Sequence, residues 1–239
     1  MKYDVTSHAL GAHTLAVFRP RTEQPLPVLL LNAGSSEDWN GYLPRLAADM
    51  GKTIRPAMLA CVQPTDWNRD FSPWPAPALH PDSPPFAGQA DARIALLCDA
   101  VLPFLSARFP TLPGRAHTGI LGYSLGGLAA LYALYRRPDV FGVAGCLSGS
   151  LWYEGFLDFQ RGRVSALADA RVYLSLGRKE ERTRHPRMGR IGACYEETGS
   201  LLRISLGADN VALDLNPGGH SSDVDGRMLL GLRWLLSFT

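Results

Sequence analysis

Ser124 has the sequence surroundings of a reactive nucleophile. It is the centre of a Gly-x-Ser-x-Gly sequence, and it lies between an apolar run that ends at Leu121 and an alanine-rich run from Leu128 to Arg136. A strand, a sharp turn and a helix in this order lift a serine hydroxyl clear of a sheet. Gly122 and Gly126 meet the demand of such a turn for residues without bulk. We predict that Ser124 is a nucleophile; the alternative is a turn whose serine only caps the helix.

Two histidines are candidates for the base that this serine requires. A serine hydroxyl is a poor nucleophile at neutral pH, so a histidine must accept its proton, and a carboxylate usually orients that histidine. The chain order that goes with this turn is serine, acid, histidine, and only His185 and His220 follow Ser124. His220 lies in the glycine-rich segment Asn216 to Ser222, after a predicted strand and before the last predicted helix. We predict His220 as the base and expect His185, in an arginine-rich segment, at the surface.

The acid is expected in the loop that follows the strand before this last pair. That strand is followed by Gly177, and Glu180 and Glu181 come shortly after the glycine. We favour Glu180, with Glu181 second, because an acid three residues after the glycine suits this kind of loop. Asp209 and Asp214 are weaker candidates. Two alternatives remain open: both glutamates are surface carboxylates paired with nearby cations, or a serine and a histidine act without an acid.

Two backbone amides should hold the oxyanion of the tetrahedral intermediate. One comes from the residue after the nucleophile, which is Leu125, and the other from the loop after an early strand. The small-residue turn Ala33 to Ser36 follows such a strand, and we predict the amide of Ser35, with Gly34 as the alternative. The same residues are also compatible with an ordinary turn that caps a helix at Asp38.

A proline-rich segment from Gln63 to Gly88 carries several aromatic residues. Its prolines argue against regular structure, yet its aromatic side chains would not be left in solvent. We predict an ordered loop over the substrate pocket, with Trp67, Arg69 and Trp74 as substrate-binding residues. The alternative is a satellite cluster that packs against the body of the protein.

Hydrophobic periodicity predicts alternating strands and helices along the chain. The predicted strands are 14–19, 28–31, 54–62, 117–121, 140–147, 171–176 and 211–215, and the predicted helices are 38–50, 90–109 with a bend at Pro103, 128–136, 191–206 and 224–238. This alternation indicates an α/β fold with a mainly parallel central sheet and helices on both faces.

Composition limits the classes of function. The 239 residues include 24 basic and 22 acidic side chains, and no polybasic run points to nucleic acid or to an anionic membrane. The four cysteines are far apart in apolar surroundings, which predicts buried free thiols and no metal site. The first ten residues contain no apolar stretch of signal-peptide length, and no run approaches a membrane span, so a cytoplasmic protein is expected.

Several segments, in order along the chain, carry a resemblance to a known family. They are Leu29 to Asn32 with the glycine turn after it, Asp66 to Pro77, Phe86 to Gly88, the turn around Ser124, Leu147 to Trp152, Leu176 to Glu180, and Asn216 to His220. From about Pro27 to Leu236 the chain resembles the serine esterases of the α/β-hydrolase fold, which include esterase D and the ferric-enterobactin (siderophore) esterases. The resemblance implies an acyl-serine mechanism and identifies Ser124 as the nucleophile and His220 as the base. It implies Glu180 as the acid, although siderophore esterases of this type can lack a working acid.

Three features depart from the siderophore esterases. We expect no separate amino-terminal domain of the kind that some of them carry, and no export signal. It also has Phe86-Ala87-Gly88 where the family commonly has Phe-Gly-Gly. Hydrolysis of a siderophore is therefore one option among carboxylic esters.

We predict a single α/β-hydrolase domain over residues 1–239 that cleaves a small-molecule carboxylic ester, with no metal and no organic cofactor. Neither a nucleic acid nor a membrane is expected as a partner. A second enzymatic hypothesis is acyl transfer to an alcohol or a sugar, since the same acyl-enzyme can react with an acceptor other than water. A third hypothesis, from a different class, is a ligand-binding protein that keeps the fold without turnover.

Overall fold

A central sheet dominates the computed structural model, which describes residues 3–33, 55–167 and 169–237. The described strands, in chain order, are β1 (Tyr3–Leu10), β2 (His13–Pro20), β3 (Val28–Asn32), β4 (Met58–Val62), β5 (Pro75–Ala76), β6 (Phe86–Ala87), β7 (Thr118–Tyr123), β8 (Val143–Leu147), β9 (Arg171–Gly177) and β10 (Val211–Asn216). Eight of them form one sheet in the order β1-β2-β4-β3-β7-β8-β9-β10, and β5 and β6 pair separately.

The sheet is mainly parallel. The β1–β2 and β2–β4 pairs are antiparallel, and every pair from β4 to β10 is parallel. Strands β3, β4 and β8 are buried at every residue, which is typical of parallel strands that are covered on both faces. This sheet confirms the predicted fold class.

Helices lie on both faces of the sheet. Their bounds are α1 (Trp67–Asp70), α2 (Ala90–Leu96), α3 (Leu102–Arg108), α4 (Leu125–Arg136), α5 (Phe156–Arg161), α6 (Ile191–Leu206) and α7 (Val224–Leu236). None of the helices in the described ranges is long and apolar enough to cross a membrane.

Two hydrophobic cores lie on opposite faces of the sheet, because the side chains of each strand point alternately to one face and the other. In β3, Leu30 belongs to the core that also contains α4, whereas Leu29 and Leu31 belong to the core on the opposite face, which contains Leu232 and Leu235 of α7. Successive side chains of a strand point to opposite faces, so a run of apolar residues supplies both cores at once. Strand β7 and helix α4 flank Ser124, and helix α7 follows His220. Helix α4 packs on one face of the sheet, helix α7 packs on the other, and β7 contributes to both cores.

The structure agrees with most of the predicted elements and corrects some of their bounds. The strand predicted over 54–62 begins at Met58, two residues after Pro56, because proline has no amide hydrogen to give to a ladder. The strand predicted over 140–147 begins at Val143. The helix predicted over 38–50 lies outside the described residues. Strand β1 and helix α5 were not predicted.

The proline-rich segment 63–88 is more regular than predicted. Asp66 caps α1, because its carboxylate accepts a 2.7 Å hydrogen bond from the amide of Arg69. The pair β5–β6 then closes the segment on itself, with Ala76 opposite Phe86. The prediction that prolines exclude regular structure throughout this segment is wrong, since a four-residue helix and a two-residue ladder fit between them.

The long helix predicted over 90–109 is interrupted before Pro103. Residues Leu97–Val101 form a π turn between α2 and α3, and Pro103 lies in the first turn of α3. Proline cannot donate the hydrogen bond that an uninterrupted helix needs at this position, and a π turn is a common way to accommodate such a break.

Candidate active site

The turn between β7 and α4 gives Ser124 an unusual backbone conformation. Its φ of 56° and ψ of −126° lie in a region that non-glycine residues rarely adopt, so the backbone is strained here. The Ser124 amide donates a 3.0 Å hydrogen bond to the carbonyl of Leu147, and its own carbonyl accepts from the amides of Gly127 and Ser150. The Ser124 side chain does not cap α4, so the hydroxyl is available for another partner.

Two glycines allow the turn to be this tight. A Cβ atom added to Gly122 would lie 2.2 Å from the carbonyl oxygen of Gly126, and one added to Gly126 would lie 2.5 Å from the carbonyl oxygen of Asn32. Both distances are far below van der Waals contact. The strand, the helix and the end of β3 therefore approach each other more closely than any side chain would permit.

His220 bridges the serine and a carboxylate. It lies in the loop between β10 and α7, where its Nε2 atom is 3.1 Å from Oγ of Ser124 and its Nδ1 atom is 2.8 Å from Oε2 of Glu180. A carboxylate can only accept, so Nδ1 carries the hydrogen and Nε2 is free to accept from the serine hydroxyl. The structure thus brings together Ser124, His220 and Glu180, the three residues that the sequence predicts as catalytic.

Glu180 is buried, and its carboxylate accepts several hydrogen bonds. Its Oε1 atom accepts hydrogen bonds from Oγ of Ser148 at 2.5 Å, the amide of Gly177 at 2.7 Å and Nη2 of Arg227 at 3.2 Å. Burial raises the pKa of Glu180, but the hydrogen bonds from His220, Ser148 and Gly177 outweigh it and hold this pKa below its ordinary value. Glu180 is therefore ionised at neutral pH.

The acid loop and the base loop are joined through their backbones. The amide of Arg178 donates to the carbonyl of Asn216 at 2.9 Å, and the amide of Lys179 donates to the carbonyl of Gly218 at 2.9 Å. These two bonds continue the parallel pairing of β9 and β10 beyond the ends of the strands. They hold the loop that carries Glu180 beside the loop that carries His220.

The predicted oxyanion site is described only in part. Leu125 is the first residue of α4, where backbone amides have no partner within the helix, and it lines the cavity beside Ser124. Ser35 and its alternative Gly34 lie outside the described residues. The neighbouring end of β3 is tied to α4, because Nδ2 of Asn32 donates a 3.1 Å hydrogen bond to the carbonyl of Gly126.

A cavity of about 260 Å³ opens in front of Ser124 and His220. Its described wall combines apolar and aromatic side chains with an equal number of polar ones. The described residues that line it are Trp67, Asn68, Leu79, His80, Ser83, Pro84, Phe86, Ser124, Leu125, Ser148, Ser150, Trp152, Glu180, Met188, Ile191 and His220. The proline-rich segment thus contributes one side of the wall.

Two of the three predicted substrate-binding residues lie away from this cavity. Trp67 lines it, but Trp74 packs among Tyr132, Tyr153 and Phe159, and its indole N–H donates to the carbonyl of Glu154 at 3.0 Å. The Nε atom of Arg69 is 2.9 Å from Oδ1 of Asp70, and this pair borders a different, smaller cavity. Substrate binding by Trp74 and Arg69 stays a prediction that the described cavity wall does not support. Aromatic content alone does not tell which ring faces a pocket and which ring anchors the loop.

Sequence reasoning missed the groups that surround the acid. Ser148 has a positive φ of 42°, and its hydroxyl accepts from Arg227 and donates to Glu180. Arg227 is buried in α7, one and two turns before the buried residues Gly231 and Leu235. An arginine in register with the apolar face of a predicted helix was the available signal, since a lone charge on such a face requires a partner.

Comparisons with known proteins point to a family of esterases. A family model described as "Putative esterase" matches residues 7–198. The protein YbbA of Bacillus subtilis is 25% identical over 186 residues, which cover 76% of this chain and 74% of YbbA. The siderophore triacetylfusarinine C esterase of Aspergillus fumigatus is 37% identical over 67 residues, but these cover only 28% of this chain and 23% of that enzyme.

The fold also matches solved structures. The siderophore hydrolase EstA of Aspergillus nidulans superposes with a TM-score of 0.76 at 18% identity, covering 99% of this chain and 95% of EstA. An identity this low supports the common fold alone. The family match spans more than half of the chain, and the chain therefore belongs to this esterase family, the carboxylic ester hydrolases of the α/β-hydrolase fold.

Proposed function

We propose that Ser124, His220 and Glu180 are the catalytic triad of this ester hydrolase. The observation that carries the proposal is the continuous path of contacts from Oγ of Ser124 to Nε2 of His220 at 3.1 Å, and from Nδ1 of His220 to Oε2 of Glu180 at 2.8 Å. These are the distances at which a base can accept a proton from a nucleophile and a carboxylate can hold that base in one tautomer.

The reaction then follows from the roles of the three groups. Oγ of Ser124 attacks the ester carbonyl while its proton passes to Nε2 of His220, which gives a tetrahedral intermediate with one negative oxygen. His220 returns the proton to the leaving alcohol, and an acyl-serine remains. A water molecule, deprotonated in turn by His220, attacks the acyl carbon, releases the carboxylic acid and restores the serine. Glu180 keeps its charge throughout and stabilises the imidazolium.

The oxyanion requires backbone donors close to Ser124. We assign one of them to the amide of Leu125, which follows the nucleophile at the start of α4. For the second we keep the residue that the sequence predicts, Ser35, which follows β3 in the chain. The tie between Asn32 and Gly126 supports this assignment, because it holds the end of β3 against the first turn of α4.

The substrate that suits the described part of the cavity is a compact and uncharged ester. The volume of about 260 Å³ lies just below the usual range of ligand pockets. Trp67, Phe86 and Trp152 supply flat apolar surfaces, and the part of the wall that the structure describes includes no lysine or arginine. An acyl group with one aromatic ring or a short alkyl chain fits these walls.

A siderophore ester is the second candidate, and it is favoured by the names of the relatives. The triacetylfusarinine C esterase of A. fumigatus and the enterobactin esterase of Emericella nidulans align with parts of this chain. A panel that contains neutral aryl and alkyl esters, metal-free enterobactin and its ferric complex separates the two candidates. We expect the highest kcat/KM for the neutral esters, and a clear preference for ferric enterobactin would reverse this order.

The proposal is tested by intact-mass analysis after reaction with a fluorophosphonate. The wild type is expected to gain one adduct, and Ser124→Ala and His220→Ala are expected to gain none. Ser83→Ala is the matched control, because Ser83 lines the same cavity and its loss should leave labelling unchanged. A folded wild type that is not labelled would favour a ligand-binding protein without turnover. Product analysis with added alcohols distinguishes hydrolysis from acyl transfer.

A further inference from the structure

Arg227 is the fourth residue of α7, and it is only 1% exposed. All three of its guanidinium nitrogens have partners. Nη1 donates to the hydroxyl of Tyr123 at 2.7 Å, Nε donates to Oγ of Ser175 at 3.3 Å, and Nη2 donates to Oε1 of Glu180 at 3.2 Å and to the hydroxyl of Ser148. A buried cation is costly unless it is paired and hydrogen-bonded, and here both conditions are met.

Two of these partners lead to His220 by different routes. Glu180 contacts the imidazole directly through its second oxygen. Tyr123, which immediately precedes the nucleophile, donates a 2.5 Å hydrogen bond from its hydroxyl to the backbone carbonyl of His220. Burial raises the pKa of Tyr123, so the phenol keeps the hydrogen that this bond requires. Arg227 is thus connected to the side chain and to the main chain of the same residue.

We propose that Arg227 is a positioning residue for catalysis: through Glu180 it orients the imidazole of His220, and through Tyr123 it holds the loop that carries His220. The proposal rests on the triad proposed above. Arg227 does not touch the reacting atoms, because Glu180 and Tyr123 lie between its guanidinium and His220.

The shape of the guanidinium explains why an arginine stands here. Its nitrogens point in fixed directions within one plane, so the side chain can hold a phenol on one side and a carboxylate with a serine on the other. The single ammonium group of a lysine cannot span the same partners. A purely structural explanation is that Arg227 only neutralises the buried Glu180, and in that case its loss would lower stability without a specific effect on His220.

The two explanations differ in the pH dependence of kcat/KM. The low-pH limb of this profile reports deprotonation of the free enzyme's base. Removal of a cation next to the Glu180–His220 pair favours the imidazolium, so the limb moves to higher pH. The titratable groups that face Arg227 or its partners are Glu180, His220, Tyr123, Tyr173, Asp223 and Tyr195. The Arg227 variants keep all of these side chains.

The test compares Arg227→Met and Arg227→Lys with Arg93→Met. For Arg227→Met we expect a loss in kcat of about 100-fold with little change in KM, and an upward shift of the limb by about half a pH unit or more. For Arg227→Lys, which keeps the charge, we expect a smaller loss and an unshifted limb. Arg93 is the matched control, since it is buried in α2 and donates to the carbonyl of Val62 away from the catalytic residues. Its loss should lower stability and leave the limb in place.

A second set of variants separates the two routes. Tyr123→Phe removes only a hydroxyl, and we expect kcat to fall about 10-fold at unchanged KM. In the Glu180→Gln/Tyr123→Phe background, Arg227→Met should cost less than about two-fold more, because both of its routes to His220 are already lost. If Arg227→Met does not fold, the kcat values of Arg227→Lys and Tyr123→Phe decide the test.

The inference is overturned if Tyr123→Phe and the folded Arg227 variants keep the kcat of the wild type, or if Arg227→Met lowers kcat as much in the Glu180→Gln/Tyr123→Phe background as it does alone. Failure of the triad proposal would be a different result, namely hydrolysis that persists in Ser124→Ala. An inactive Ser124→Ala together with fully active Arg227 and Tyr123 variants would therefore reject the role of Arg227 alone.

Discussion

Nδ1 of His220 lies 2.8 Å from Oε2 of Glu180, whereas the carboxylate of the adjacent Glu181 packs against Gly192 and lines a separate cavity. Adjacent residues in this loop therefore face opposite directions. Only Glu180 is placed to influence the imidazole directly, which makes the pair of glutamates a natural internal comparison.

Glu180→Gln is expected to lower kcat by between about 100-fold and 10,000-fold, because the amide removes the negative charge that stabilises the imidazolium and permits the wrong tautomer. The measurement is steady-state hydrolysis of a neutral aryl ester. Glu181→Gln is the matched control and is expected to keep at least about half of the wild-type kcat, since its carboxylate lies on the other side of the loop. A larger loss in Glu181→Gln than in Glu180→Gln would contradict the assignment of the acid.

Glu180 should also make stability depend on pH in the acidic range. Its pKa in the folded protein lies below the ordinary value of 4.5, so the folded state favours the ionised carboxylate. The stabilisation is fully present above about pH 4.5 and is lost as the pH falls through the folded-state pKa. Urea denaturation between pH 6 and pH 3 should show a steeper loss of unfolding free energy for the wild type than for Glu180→Gln. Equal slopes for the two proteins would contradict this prediction.

Much of the catalytic arrangement could be predicted because local sequence and topology determine it. The turn at Ser124 requires glycines at two fixed positions, and the parallel strands bring the loops that follow β9 and β10 to the same edge of the sheet. The chain order of serine, acid and histidine then leaves Glu180 and His220 as the leading candidates. These inferences depend on spacing and backbone geometry, which a sequence displays directly.

The remaining features depend on side-chain packing between distant segments. Trp67 and Trp74 are seven residues apart in the same proline-rich segment, yet one lines the cavity and the other packs on Phe159 of α5. Helix α5 was itself not predicted, so the partner of Trp74 was unknown. Arg227 presents the same difficulty, since its partners Tyr123 and Glu180 are far away in the sequence. A sequence shows that such a residue needs a partner but not which partner it finds.

Gly122→Ala and Gly126→Ala should each lower the unfolding free energy by about 3 kcal/mol or more, because the added methyl group meets backbone atoms that cannot move aside. The methyl carbons would lie 2.2 Å and 2.5 Å from the carbonyl oxygens of Gly126 and Asn32, at the start of α4 and at the end of β3. Gly162→Ala is the matched control, since its methyl group would have only ordinary contacts at 3.8 Å. Urea denaturation measures all three variants. A loss below about 1 kcal/mol in both turn variants would show that the turn is less tight than described.

Trp67→Ala should mainly change KM, whereas Trp74→Ala should mainly change the free energy of unfolding. Trp67 lines the cavity, so its loss should raise KM for aryl esters several-fold, by more than for short alkyl esters. Trp74 anchors the loop through its contacts with Tyr153 and Phe159 and through its hydrogen bond to Glu154, so its loss should lower the unfolding free energy by about 2 to 4 kcal/mol.

Arg69→Ala completes this comparison, because Arg69 was predicted to bind substrate but pairs with Asp70 beside another cavity. We expect its KM values across the ester panel to stay within about two-fold of the wild type, since the Arg69 side chain is absent from the described wall of the cavity. Kinetics on one aryl and one alkyl ester, together with urea denaturation, measure all three variants. A changed ester preference in Arg69→Ala or Trp74→Ala, with none in Trp67→Ala, would place the substrate on the opposite side of the loop.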